Sequence, residues 1–230
     1  MPSLLKATHV ISALPLPALD AILPQQPSAR SLPHLRVNPH STVIVINLVF
    51  PATTTTPLHP PGFGYLVPRS EQGYPVAESA SEHEEHEPGL LGVVFDTASL
   101  PEQDDADGAT RFTKMTAMIG GPYPLPRAPD SGGPEDDPAL LAAVLPLISV
   151  QLGGPPLPEP VHYAVHRNEE SIPTYLVGHT ARMKELRRAL RERWGGRMKV
   201  VGAGVGGVSV ADCVKAGRQA AREVGAQIEA

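Results

Sequence analysis

The sequence has little of what several protein classes require. Its single cysteine, Cys213, excludes an intramolecular disulfide and a zinc site built from cysteines. With a net charge of -5 and no long basic run, nothing in it indicates nucleic-acid binding. The longest apolar run, 139–150, is interrupted by Pro146, whereas a membrane-spanning helix needs about 20 apolar residues. Residues 1–10 lack the apolar stretch and cleavage site of a secretory signal peptide.

Proline is abundant instead. The chain has 230 residues, enough for one large domain or two small ones, and 27 of them are proline, where average usage is about 5%. Such a chain has long irregular connections and is a poor candidate for a helical bundle. The low-complexity segment 122–138 is predicted to be a disordered insertion.

Hydrophobic patterning predicts mainly strands, followed by a tail of helix, strand and helix. Residues 41–50, rich in β-branched side chains and apolar on both faces, predict a buried central strand. The other predicted strands are 8–12, 62–67, 90–96, 110–119, 161–166 and 197–201, and the predicted helices, besides a short one ending near 19, are 138–151, 182–193 and 209–228. This order predicts an α+β fold with an antiparallel or mixed sheet and an incomplete α/β domain.

A glycine motif follows the last predicted strand. Gly202, Gly204 and Gly207 have the spacing G-x-G-x-x-G between a strand and a helix, as in a dinucleotide-binding fingerprint. That fingerprint opens a strand–helix–strand unit, yet no second strand with an acidic residue for a ribose follows here. Two interpretations remain: glycines and a helix start that accept an electron-rich ligand group, or a glycine turn that serves packing alone.

Several segments together resemble oxygen-dependent protoporphyrinogen oxidases. Residues 172–179 read I-P-T-Y-L-V-G-H, and residues 207–221 read G-V-S-V-A-D-C-V-K-A-G-R-Q-A-A, similar to the family's final helix except that Ala211 stands where asparagine is usual. In the front half, V-I-S-A-L-P at 10–15, G-F-G-Y-L-V-P at 62–68, L-G-V-V-F-D at 91–96 and P-E-Q at 101–103 also correspond. The resemblance is to the C-terminal portion of these enzymes, and the proline-rich insertions suggest a fungal type.

The resemblance implies a cofactor and a substrate. The family's flavin is FAD, held mainly by an N-terminal G-x-G-x-x-G unit that this sequence does not contain. By the resemblance, Ala203, Val208, Ser209 and Val210 line the flavin. The apolar slot for protoporphyrinogen IX is lined by Phe63, Gly64, Leu66, Met118 and Ile172. Ordinary core packing is the alternative role for the substrate residues.

The implied chemistry belongs to the cofactor. Hydride passes from a substrate carbon to the flavin and molecular oxygen reoxidises it, so no catalytic side chain is assigned. By the resemblance, residues 1–121 belong to the substrate-binding, FAD-linked sheet region, 139–180 supply a substrate-domain helix and strand, and 181–230 form an FAD-contacting helix–strand–helix. The family also implies peripheral association with the mitochondrial inner membrane and a homodimer.

Two other functions stay open. One is a different flavin amine oxidase, such as a polyene desaturase, against which the segments at 62–68 and 172–175 argue. The other is a non-catalytic remnant that binds a partner or a porphyrin without flavin.

Four polar features receive modest roles. The histidines of S-E-H-E-E-H-E at 81–87 are three residues apart, not the four of H-E-x-x-H, which favours a solvated acidic loop over a metal site. His179 is predicted to make a structural hydrogen bond. Asp212 is predicted either to cap the last helix or to order backbone at the flavin. Cys213 is predicted to be a buried small hydrophobe.

Overall fold

A computed structural model describes residues 5–23, 32–51, 57–69, 71, 89–99, 112–123 and 137–229. Within them the strands are β1 Val10–Ser12, β2 His40–Phe50, β3 Gly64–Leu66, β4 Leu90–Phe95, β5 Thr113–Gly120, β6 His162–Pro173 and β7 Met198–Val200. The helices are α1 Leu16–Ile22, α2 Asp96–Ser99, α3 Asp137–Leu152, α4 His179–Trp194, α5 Ala203–Gly206 and α6 Val210–Ile228. The predicted α+β class is confirmed.

The chain divides into two compact units. Residues 1–40 and 172–230 form one, here called the terminal unit, and residues 41–171 form the other, here called the sheet unit. The division groups the N-terminal 40 residues with the C-terminal helices, whereas the predicted ranges placed them with the sheet region. The functional role assigned to each predicted range stays a prediction.

The terminal unit is built on a small parallel sheet. Strands β1 and β7 pair from Val10 beside Met198 to Ser12 beside Val200. Helices α1, α4 and α5 supply most of its apolar core, which consists of Leu16, Leu19, Leu32, Leu35, Met183, Leu186, Leu190, Met198, Val200 and Val205. Gly195, with φ 60°, ends α4 in the left-handed conformation that glycine adopts at low cost.

The sheet unit contains five strands in the order β3-β4-β5-β2-β6. The pairs β3–β4, β4–β5 and β2–β5 are antiparallel. Strand β2 therefore lies between two neighbours, as its apolar sequence predicted. Residues paired across strands share a face of the sheet, so the register assigns each side chain to one face or the other.

One face of this sheet packs against α3. Phe50, Ile46, Met115 and Ile119 are fully buried there, together with Val144 of the helix. Helix α3 continues through Pro146, which removes one helical hydrogen-bond donor without ending the helix. The opposite face, here called the open face, presents half-buried or exposed side chains: Val45, Asn47, Leu66, Val94, Thr116 and Met118.

Several predicted elements differ in length from the observed ones. The strand predicted at 161–166 continues to Pro173, helix α4 begins at His179 rather than at 182, and the short helix α5 was not predicted. The strand predicted at 62–67 is limited to Gly64–Leu66. Part of the segment predicted to be disordered is helical, because Asp137 and Pro138 form the first turn of α3.

Three predictions concern residues outside the described part of the chain. They are the acidic histidine-containing segment at 81–87, the P-E-Q segment at 101–103 and most of the insertion predicted at 122–138. Among the residues that are described, no cluster of metal-ligating side chains occurs. None of the helices in these ranges is long and apolar enough to span a bilayer.

Tyr65 gives a prediction about alkaline stability. Its side chain packs against the core beside Phe95, and its hydroxyl oxygen is buried with no hydrogen-bond partner among the described residues. Burial raises the pKa of Tyr65 to about 12. Because phenolate forms earlier in the unfolded chain, the unfolding free energy should fall between pH 10 and 12.

Replacing Tyr65 with phenylalanine is expected to reduce that fall and to leave stability at pH 7 unchanged or slightly higher. The substitution keeps the ring and removes only the unpaired hydroxyl. Urea unfolding of both proteins at pH 7 and pH 11 measures the difference. An identical pH dependence in the two proteins would contradict the assignment.

Candidate functional site

The glycine motif forms a compact turn between β7 and α6. Gly202, with φ 105°, and Gly207, with φ 147°, adopt conformations that side-chain-bearing residues rarely tolerate. A Cβ atom on Gly204 would lie 2.9 Å from Cγ of Leu16. Each of the three glycines therefore has a local reason to be glycine, so the motif alone does not identify a nucleotide site. The dinucleotide fingerprint would require a further strand after β7, and the described residues contain none there.

A single hydroxyl group holds both ends of this turn. The Tyr175 hydroxyl donates a hydrogen bond to the carbonyl oxygen of Ala203 and accepts one from the Gly207 N–H at 2.9 Å. Burial raises the pKa of Tyr175, against the smaller opposing effect of the Gly207 hydrogen bond. The phenol therefore stays protonated at neutral pH and keeps its donor role.

His179 supports the same turn from the start of α4. Its ring stacks on Tyr175 with centroids 3.8 Å apart and planes 9° apart. Its Nε2 lies 3.3 Å from the carbonyl oxygen of Val205, and its Nδ1 lies 3.2 Å from Nδ2 of buried Asn38. The carbonyl requires a donor and the Asn38 amide nitrogen requires an acceptor, so a neutral imidazole protonated on Nε2 satisfies both. His179 thus makes the structural hydrogen bond that was predicted.

The start of α6 is capped within the helix. The Ser209 hydroxyl accepts a hydrogen bond from the Asp212 N–H at 3.1 Å and donates one to the Asp212 carboxylate at 2.7 Å. A Cβ atom on Gly207 would lie 2.4 Å from Cγ of Asp212, so the carboxylate also covers the end of the turn. Ser209 is therefore the N-cap of α6, and the Asp212 carboxylate holds the capping hydroxyl; the alternative role of Asp212, ordering backbone at a flavin, stays a prediction. Cys213 is half-buried, not fully buried as predicted, because α6 buries little of its surface.

The four predicted flavin residues border this turn. Ala203 is half-buried in α5, while Val208, Ser209 and Val210 are exposed, with Val210 82% accessible. The N–H groups of residues 210 and 211 lie in the first turn of α6, where no carbonyl of the helix can accept from them, and they carry the partial positive charge of a helix start. The turn thus offers the exposed side chains of Val208, Ser209 and Val210 and the electropositive N–H groups of a helix start on an accessible surface.

Three of the predicted substrate residues lie on the open face. The register aligns Leu66 with Gly92 and Met118, and aligns Gly64 with Val94 in the next row. Gly92 is buried beneath Leu66, and a Cβ atom on Gly64 would point into the backbone of β4, so both glycines permit the close pairing of β3 and β4. The remaining two predicted residues are Phe63, 70% exposed just before β3, and Ile172, which belongs to the terminal unit and is 43% exposed. Their assignment as substrate residues stays a prediction.

A polar chain crosses the open face one row from Met118. The Asn47 Nδ2 donates to the Thr116 hydroxyl at 2.8 Å, and that hydroxyl donates to the Asp96 carboxylate at 2.7 Å. No local pattern points to Asn47 or Thr116, because strands distant in sequence bring them together. Asp96 closes the matched L-G-V-V-F-D segment, and Tyr175 lies in the matched I-P-T-Y segment, so these two could have been singled out.

Comparison with known proteins confirms the resemblance given by the motifs. The chain is 34% identical over 228 residues to the protoporphyrinogen oxidase of Macaca fascicularis, which covers 96% of this chain and 41% of the relative. It therefore spans less than half the length of that relative. No protein-family model matches it.

Solved structures share the fold. A protein from Exiguobacterium sp. 255-15 with a provisional assignment as a protoporphyrinogen oxidase superposes with a TM-score of 0.63 at 20% identity, over 96% of this chain and 41% of the other. Reduced UDP-galactopyranose mutase gives a TM-score of 0.56 at 13% identity, over 87% of this chain and 36% of the other. At these identities the likeness shows the fold alone.

Proposed function

We propose that this chain forms part of an FAD-dependent oxidase that converts protoporphyrinogen IX to protoporphyrin IX with molecular oxygen. The observation that carries the proposal is the 34% identity to a protoporphyrinogen oxidase across 96% of the chain. The aligned length spans both the glycine turn and the open face.

The open face suits a large apolar ring. Leu66 is 79% exposed beside Gly92, and Met118 continues the same row. Burying such side chains under a ligand gains about 25 cal/mol for each Å² of apolar surface removed from water. A flat or dished macrocycle can rest on the half-buried and exposed apolar side chains of this face, Leu66, Val94 and Met118.

The glycine turn suits one wall of a flavin site. Ala203 and Val208 present small side chains, and residues 210 and 211 point N–H groups outward from the start of α6. A bound flavin would supply the hydride acceptor, with a pyrrole nitrogen losing a proton for each hydride removed from a bridging carbon; three such two-electron oxidations, each balanced by the reduction of one molecular oxygen to hydrogen peroxide, would convert the substrate to the porphyrin. The chain's own part is to orient the ring and to place positive dipole near negative charge.

The proposal also includes the finer expectations of the resemblance. FAD is the flavin, the protein acts as a homodimer, and it is peripherally attached to the mitochondrial inner membrane. A different flavin amine oxidase is disfavoured, since the relatives matched over 96% of this chain are protoporphyrinogen oxidases.

A chimera tests the proposal. The matching region of the macaque relative is replaced by this chain, and formation of fluorescent protoporphyrin from protoporphyrinogen is followed in air. We expect the chimera to bind flavin and to oxidise the substrate. The chain by itself is expected to purify without stoichiometric flavin, which its absorption spectrum measures.

Two variants of the chimera serve as a matched pair. Leu66→Asp charges the open face and should raise KM at least about tenfold at unchanged flavin content. Val150→Asp, at a 75% exposed apolar residue of α3, should leave KM unchanged. A chimera that binds flavin but forms no porphyrin would favour the non-catalytic remnant instead.

A further inference from the structure

The polar chain on the open face has a direction. Asn47 donates to Thr116, and Thr116 donates to Asp96. A hydroxyl has one proton, so its donor capacity is spent on Asp96, and the carboxylate can only accept. The order of donors and acceptors along the polar chain is therefore set by the Asp96 carboxylate at its end.

Both ends of the polar chain, Asn47 and Asp96, present hydrogen-bond acceptors. Among the described residues, neither Oδ1 of Asn47 nor Oδ1 of Asp96 has a hydrogen-bond partner, and neither is a buried unsatisfied atom. Both residues are half-buried, so these oxygens can be reached from the open face. A ligand resting there meets one acceptor oxygen at each end of the polar chain, and the second N–H of the Asn47 amide is the donor that the bond to Thr116 leaves over.

We propose that Asp96 and Asn47 accept hydrogen bonds from pyrrole N–H groups and thereby select the reduced tetrapyrrole over its oxidised product. The inference rests on the proposed function and adds the basis of its selectivity. Every pyrrole nitrogen of a porphyrinogen carries a hydrogen, whereas in the conjugated porphyrin some of the nitrogens are acceptors. The two acceptor oxygens therefore match the substrate, and the Asp96 carboxylate, which has no donor to offer, opposes the acceptor nitrogens of the product.

The shape of the two macrocycles strengthens the discrimination. Saturated bridges let the pyrrole rings of a porphyrinogen tilt, so that several N–H groups converge on one anionic oxygen. Hydrogen bonds to a carboxylate are roughly twice as strong as those between neutral groups. The conjugated porphyrin is flat and its remaining N–H groups point to its own centre, where the Asp96 carboxylate cannot reach them.

The neighbouring rows place the macrocycle for these contacts. Thr116 precedes Met118 by two residues on β5, so the polar chain runs beside the apolar row of Leu66 and Met118. Val94, aligned with Thr116 and Gly64, continues the apolar surface toward Asp96. A ring seated on the apolar row therefore has its edge over the polar chain, which lies one row away, about 7 Å along the strand.

Equilibrium dialysis of the 230-residue chain tests the inference. Protoporphyrinogen IX under nitrogen and protoporphyrin IX are dialysed separately against the protein, then oxidised fully and quantified by porphyrin fluorescence. We expect the reduced macrocycle to bind more tightly. Asp96→Asn, which turns the outward oxygen into a donor when Thr116 keeps its bond, should weaken porphyrinogen binding about tenfold.

Two further variants complete the design. Glu159→Gln removes an exposed carboxylate of the same unit and should leave both affinities unchanged. Thr116→Val keeps the side-chain volume, breaks the link between Asn47 and Asp96, and should reduce the preference for the reduced macrocycle. It also serves as the test if Asp96→Asn fails to fold. Binding of both macrocycles with equal affinity, or a preference that survives in Asp96→Asn and Thr116→Val, would overturn the inference and leave the proposed function standing. Binding of neither macrocycle would contradict the proposed substrate itself, and the inference with it.

Discussion

Replacing Gly64 with alanine is expected to destabilise the sheet unit by about 3 kcal/mol or to detach β3 from the sheet. The backbone at Gly64 has a φ of 152°, and an added Cβ would lie 2.3 Å from the carbonyl oxygen of Val93 and 2.9 Å from Cα of Val94. These are backbone atoms of the paired strand, so no side-chain rotation relieves the overlap. Urea unfolding measures the loss of stability.

Gly62 provides a matched control for this prediction. Its φ of 153° is nearly the same, but an added Cβ meets nothing within 4 Å. The loss of stability in Gly62→Ala therefore reports the backbone strain alone, about 1 kcal/mol, without a contribution from a steric clash. Amide exchange at Phe95, which donates to the Phe63 carbonyl, reports whether β3 remains paired. Equal stability of the two variants would show that β3 and β4 are farther apart than the structure places them.

Most strands and helices could be predicted because their signals are local. The β-branched run at 41–50 and the apolar run in 139–150 carry their own pattern, and β2 and α3 follow them closely. Strand β6 could not be given its full length, because 167–171 are polar and all but the half-buried Arg167 are exposed. Their strand conformation depends on pairing in the sheet, which no local pattern reveals.

The candidate site was predictable only where a matched motif named it. Tyr175 and Asp96 lie in such motifs, but the contacts that give them a role come from elsewhere in the chain. Asn38 lies 141 residues before the His179 it contacts, and Asn47 lies 69 residues before Thr116. Hydrogen bonds over such separations depend on the fold as a whole, so a pattern of neighbouring residues does not contain them.

Replacing Tyr175 with phenylalanine is expected to destabilise the terminal unit by about 2 kcal/mol and to loosen the glycine turn. The phenylalanine ring can keep its stacking on His179, so the change isolates the hydroxyl. Removing it leaves the Ala203 carbonyl without its donor and the Gly207 N–H without its acceptor, and each orphaned group costs about 1–3 kcal/mol when buried from water. Because these groups are half-buried, the lower end of that range applies to each.

Hydrogen exchange at the Gly207 amide separates this effect from general destabilisation. In the variant, that amide should exchange faster at low denaturant, while amides of β7 change only by the global loss of stability. Tyr163→Phe is the matched control, since its hydroxyl has no hydrogen-bond partner in the described part of the chain and its ring packs against the sheet core. If Gly207 exchanges at the same rate in Tyr175→Phe and in the control, the turn is held by its glycines alone. The surface of Ala203 and Val208, proposed here to contact a flavin, would then be set by the turn's backbone and not by the tyrosine.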